Sequence, residues 1–147
     1  MMTNRQLQEK NARATEKLVC KKFKEFGYWC FNIPKKVEGQ PCDIVASKKN
    51  GKTFLVWLVD AKHVREEEVS FDFDRVEPNQ ITSMRYARDF AGLENLGFAI
   101  FFARLKSLYW LPFNFYEELI KQGAKSINMR FLTPFVEVLA DADYNKE

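Results

Sequence analysis

The feature that most constrains this chain is Asn50-Gly51, set between two runs with strand character, Cys42 to Ser47 and Thr53 to Ala61. Asn-Gly is the strongest short signal for a two-residue hairpin turn, because such turns need backbone conformations that these two residues adopt easily. The two runs are therefore expected to pair antiparallel. A turn formed by Asn50 and Gly51 places Asp43 opposite Leu58. The returning run, TFLVWLVDA, is apolar on both faces, which suits the centre of a covered sheet.

The rest of the chain arranges itself around that hairpin. Ala12, Thr15, Val19, Phe23 and Phe26 recur at helical spacing, predicting a helix from about Thr3 to Phe26 that Gly27 ends. Tyr28 to Ile33 is aromatic-rich and bounded by Pro34, a strand signal. His63 to Val76 is charged and irregular. A helix is expected from about Pro78 to Phe90, with Gly92 beyond it. Gly97 to Ala103 and SLYWLP (Ser107 to Pro112) read as paired strands. Asn114 is expected to cap a short helix to about Lys121, stopped by Gly123. Ser126 to Leu139 reads as weakly helical and then extended. The order αβββαββα describes an α/β fold: a mixed sheet flanked by helices.

Composition sets the class. At 147 residues, 46% hydrophobic and 29% charged, the chain reads as one soluble domain over 1–147. A core of this size buries roughly two-thirds of the unfolded surface, so it needs no staple. No apolar run approaches the roughly 18 residues of a membrane span, and no signal peptide opens the sequence. Cys20, Cys30 and Cys42 read as reduced thiols of a cytoplasmic protein, and a single histidine, His63, argues against a structural zinc site. Net charge is +3, but the last eleven residues carry −3, and 140–147 are expected to form an acidic tail without fixed structure. The first 26 residues hold seven basic side chains against three acidic ones, which suits either an anionic partner or a solvated helix face.

The chemistry-bearing feature is Asp60-Ala61-Lys62 at the end of the central run, seen together with Asp43. Side chains alternate along a strand, so Leu58, Asp60 and Lys62 share the face of Asp43, with Asp60 its diagonal neighbour. Carboxylates so close repel unless a proton or cation lies between them. Magnesium suits that position, since it takes hard oxygen ligands and is often held by one or two carboxylates plus phosphate. A plain Asp60–Lys62 salt bridge is the competing account. Glu16 borders the buried stripe of the first helix, and Gln80 opens the second; each is also explained as an ordinary boundary polar residue.

These residues, in order, resemble the RecU-type Holliday-junction resolvases, a branch of the PD-(D/E)xK nuclease superfamily. The resemblance runs through Asn11 and Glu16, Ile33-Pro34, Pro41-Cys42-Asp43, Asp60-Ala61-Lys62, Ser70-Phe71, Gln80-Ile81, Met84, Gly97-Phe98, Tyr109 to Leu111, and Gly123-x-Lys125-Ser126-Ile127. It implies a PD-(D/E)xK, restriction-endonuclease-like core and a Mg²⁺-dependent endonuclease, with Mn²⁺ accepted, that cuts branched or duplex DNA as a homodimer, with a recombinase as a further partner. Asp43, Asp60 and the Ala61 carbonyl would hold the metal, Lys62 would be the catalytic lysine, and Glu16 and Gln80 would complete the site. Lys17, Lys21, Lys35, Lys36 and Arg85 are the candidate phosphate contacts. Three departures stand out. The family usually has Glu where this chain has Asp60, it carries a glycine where this chain has Ala12-Arg13-Ala14, and its junction-engaging stalk is replaced here by the short segment between Pro34 and Cys42. Other DNA structures as substrate, or binding of branched DNA without cutting, are the alternatives.

Overall fold

A capping box opens the first helix, α1 (Asn4–Glu25): the Thr3 hydroxyl accepts from the Gln6 amide, and the Gln6 side chain accepts from the Thr3 amide. Thr15, Val19 and Phe23 are buried along its inner face, as their spacing predicts. The computed structural model describes residues 1–34 and 42–144. Beyond α1 come β1 (Trp29–Asn32), β2 (Ile44–Asn50), β3 (Thr53–Val64) and β4 (Ser70–Asp72), then α2 (Pro78–Ala91), β5 (Asn95–Phe102) and β6 (Ser107–Pro112). The chain ends with α3 (Phe113–Lys121), β7 (Ser126–Asn128), β8 (Thr133–Pro134) and α4 (Phe135–Tyr144).

Six strands form the main sheet in the order β1-β2-β3-β5-β6-β8. Among the described residues only β3 and β5 run parallel; the other pairs of this sheet are antiparallel. The chain is thus the expected mixed α/β fold, with the apolar TFLVWLVDA run inside the sheet. One face packs on α1 and α4 through Val19, Phe23, Trp57, Val59, Trp110, Phe135 and Leu139. The other packs on α2, α3 and the small β4–β7 sheet through Phe71, Met84, Phe98, Ile100, Phe113 and Ile127. Gly97 pairs with Pro112 across β5 and β6, and a Cβ there would overlap the Leu111 carbonyl oxygen. Seven of the fourteen phenylalanines are buried in these two cores, while Phe31, Phe54, Phe90, Phe115 and Phe131 are exposed.

Three expectations differ. The hairpin turn is Gly51-Lys52 rather than Asn50-Gly51: Asn50 pairs with Thr53, Lys49 with Phe54 and Ile44 with Val59. Gly51 alone takes positive φ (65°), which suits a II′ turn with glycine in its first central position. Asn114 does not cap α3; Pro112 stands at that position, and Asn114 accepts from Arg88 instead. The C-terminal segment is extended first and helical afterwards. Ile127 pairs with Phe71 across β4–β7, while Phe135 and Leu139, one turn apart, are fully buried on α4. Burying side chains of that size contributes roughly 1.5–3 kcal/mol each, enough to fold a short helix onto the sheet. The acidic tail is accordingly helical to Tyr144, with Asp143 2.6 Å from Lys48 Nζ; residues 145–147 lie outside the described residues.

Candidate active site

β2 stops at Ile44 while β3 runs on to Val64, leaving the end of β3 uncovered on one edge. Asp43 stands at that step. Its amide donates to the Val59 carbonyl (3.1 Å), and its own carbonyl accepts from Ile33 (2.7 Å), so the residue is pinned between two strands. The Ile44–Val59 pairing, carried one step further, sets Asp43 directly opposite Asp60. The two-residue shift in register keeps every side chain on its expected face, because the strand period is two. Asp60 is therefore Asp43's direct neighbour and not the diagonal one.

Both carboxylates are buried, Asp43 at 7% exposure and Asp60 at 1%. Asp43 Oδ2 accepts from the Ala61 amide at 2.9 Å. In a strand the N–H and C=O of one residue point to the same edge, so the Ala61 carbonyl also faces the side that β2 has vacated. Lys62 Nζ lies 2.9 Å from Asp60 Oδ2, at ion-pair distance but without hydrogen-bond alignment. Among the described residues, that buried oxygen has no hydrogen-bond donor. Lys62 directs its ammonium to the Arg75 carbonyl (3.0 Å) and to Gln80 Oε1 (3.4 Å). Gln80 also accepts from the Glu77 amide in the capping box that opens α2, which fixes its side chain at the site.

Asp43, Asp60, Lys62, Gln80, Glu16 and Lys17 line one open cleft of about 1420 Å³. Glu16 is 3% exposed and reaches the cleft from α1, on the opposite side of the sheet. The structure thus gathers the five residues expected to be catalytic. The expected DNA contacts fare unevenly. Lys17 lines the cleft, and Lys21 lies beside it in a smaller depression. Arg85 does not line either one: its guanidinium is paired with Glu117 across α2 and α3. Lys35 and Lys36 lie outside the described residues. The sequence reading also passed over Arg65 and Arg75, which line the cleft with Arg5 and Arg13. Arg75 donates to the His63 carbonyl at 2.7 Å; only its place in the irregular segment after β3 hinted at such a role.

Two neighbours report the local field. The Cys42 thiol is pushed up to about 12, by burial first and then by the Asp43 and Asp60 charges, so it stays protonated. His63, which lies inside β3 and not beyond its end, is held below the usual imidazole range by burial and by Arg75. Among the described residues no three His, Cys, Asp or Glu side chains gather as a ready metal cage. Two opposed carboxylates, a buried oxygen lacking a donor and an outward carbonyl nonetheless fit a hard cation that keeps most of its waters, as Mg²⁺ does.

No protein-family model matches the sequence, and no curated protein sequence does. Solved structures do match. The chain is similar to Hjc, a Holliday junction resolvase from the archaeal hyperthermophile Archaeoglobus fulgidus, with a TM-score of 0.60 and 19% identity over 86% of this chain and 98% of that one. It is also similar to D212, a nuclease from a fusselovirus, with a TM-score of 0.54 and 9% identity over 95% and 92% of the two chains. Among the described residues no helix is long and apolar enough to cross a membrane. The chain has the α/β fold of an archaeal resolvase and a viral nuclease.

Proposed function

We propose that this chain is a divalent-cation-dependent endonuclease of the RecU-like kind that hydrolyses phosphodiester bonds in branched DNA. The observation that carries the reading is the Asp43–Asp60 pair: two buried carboxylates directly opposed, with Lys62 beside Asp60 Oδ2, an oxygen that has no hydrogen-bond donor among the described residues. Like charges so placed cost stability unless a cation joins them. Asp43, Asp60 and the Ala61 carbonyl would hold Mg²⁺, and Mn²⁺ in its place. Bound there, the ion supplies Lewis-acid polarisation of a phosphoryl oxygen and makes water more acidic.

The protein's own groups do the rest. Lys62, tied to the Arg75 carbonyl and Gln80, presents a positioned ammonium where negative charge builds on the phosphate. Gln80 positions Lys62 and does not touch the reacting phosphate. Glu16 stands on the far wall of the cleft, where it can orient water. Arg5, Arg13, Lys17, Arg65 and Arg75 attract the backbone, which fixes the DNA's position and reads no sequence. Paired cuts across a four-way junction need two clefts, so the reading takes the working form as a homodimer.

The deciding experiment is cleavage of a synthetic four-way junction against matched linear duplex, with Mg²⁺, Mn²⁺ or EDTA. The expected result is paired nicks in the junction alone, abolished by EDTA. Metal-dependent cutting of every substrate would keep the nuclease and discard the junction preference. Tight binding with no cutting under any metal would replace the nuclease with a non-cutting DNA-binding protein.

A further inference from the structure

Outside the cleft, one pair of reactive side chains has no part in the chemistry above. Cys20 on α1 and Cys30 on β1 are free thiols whose Sγ atoms lie 2.7 Å apart. A depression of about 620 Å³ is lined by both cysteines together with Lys17, Lys21, Lys24 and Glu25; Cys20 is 9% exposed and Cys30 is half-buried. Cys30 is the more accessible member of the pair, and the three lysines against one glutamate make the depression electropositive, as the surroundings of reactive cysteines are. The two thiols are also unequal. Cys20 is held below the ordinary thiol range, chiefly by its hydrogen bond with Cys30 and further by Lys24, against burial and the Glu16 charge. Cys30 is pushed up by the same hydrogen bond and by burial. Cys42, by contrast, is 2% exposed and does not line the depression.

We propose that Cys20 and Cys30 form a reversible dithiol–disulfide site, oxidised by a small disulfide, that clamps α1 to the edge strand β1. The Cys20 thiolate attacks one sulfur of the external disulfide, forming a mixed disulfide and expelling one thiolate. Cys30 then loses its proton and attacks the Cys20 sulfur, expelling the second thiolate. The external disulfide is reduced by two electrons to two thiols, the protein pair is oxidised by two, and the two protein protons end on the released thiols. A disulfide's span of roughly 2.05 Å between sulfurs is within a short approach of the existing contact. The bond would secure the helix that carries Glu16, one turn before Cys20, and Lys17, which lines both depressions. The proposal does not depend on the nuclease reading.

The test uses the full chain in buffers of graded reduced-to-oxidised glutathione ratio, quenched in acid, with free thiols then alkylated in denaturant and the products mapped by mass spectrometry. The expected outcome is a single Cys20–Cys30 bond, with Cys42 alkylated throughout. Oxidation should raise the melting temperature by about 5 °C, reversed by dithiothreitol. In Cys30→Ser the mixed disulfide should accumulate on Cys20. Glutathione adducts on wild-type protein with no internal bond at any ratio, or both cysteines alkylated throughout, would overturn the proposal, and the wild-type mapping decides this without any variant.

Discussion

Two charged clusters in this molecule are built on opposite plans. Between α2 and α3, Arg85 and Arg88 both pair with Glu117, and Arg88 also reaches Asn114 and Asp89. Burial acts to raise the Glu117 pKa, but hydrogen bonds from the two arginines outweigh it and hold the carboxyl below its usual range. The cluster satisfies itself, with Arg85 and Asp89 exposed and Glu117 mostly covered between its two arginines. In the cleft, two carboxylates face each other in the protein interior, and Asp60 Oδ2, beside the Lys62 ammonium, has no hydrogen-bond donor among the described residues. A self-neutralised cluster holds two helices together and asks for no ligand. A buried cluster with surplus negative charge is stable only if something cationic is brought to it, and that difference separates the candidate site from a merely structural ion pair.

The largest effect is expected at Asp60. Asp60→Ala should reduce cleavage to background while DNA binding in EDTA persists, because the basic wall of the cleft is untouched. The isosteric Asp60→Asn should lose the rise in melting temperature that Mg²⁺ gives the wild type. Cutting retained in either variant would remove the site assignment. Lys62→Met should have a smaller effect, slowing single-turnover cleavage by about 10²- to 10³-fold, the usual cost of losing one positioned electrostatic group. An unchanged rate would mean Lys62 only neutralises Asp60.

At the other cluster the effect should be smallest and confined to stability. Glu117→Gln should cost about 1 kcal/mol in urea unfolding and leave the cleavage rate unchanged. Because the folded pKa of Glu117 is depressed, its contribution is complete above about pH 4.3, the ordinary glutamate value. It fades as pH falls through the lower folded value. The stability difference between wild type and Glu117→Gln should therefore narrow on acidification, and a gap that widened would reverse the assigned sign.

Much of this site was legible because it depends on short periods. Asp43, Asp60 and Lys62 share a face through alternation alone, and a two-residue error in the hairpin register could not move them off it. Placing the turn itself was harder. Asn50-Gly51 located it to within a residue, but Asn50 remains in the strand opposite Thr53 and Gly51 alone takes positive φ. The α4 segment carried a helical signal in Phe135 and Leu139 that was too short to compete until the sheet gave both side chains a place to pack. Pairing of Phe71 with Ile127 joins residues far apart in sequence and has no local signature.

By itself, the sequence determined the fold class, the order of the principal elements and the common face of the acidic pair. Turns, periodicity and burial preference act over a few residues and leave their mark there. Tertiary structure alone decided that Glu16 and Gln80 meet the pair in one cleft and that Arg85 is drawn away to Glu117. It also decided that Cys20 touches Cys30. Each of these depends on how helices dock across the sheet. Docking is set by the summed shape of two cores, and no single stretch of the chain contains it.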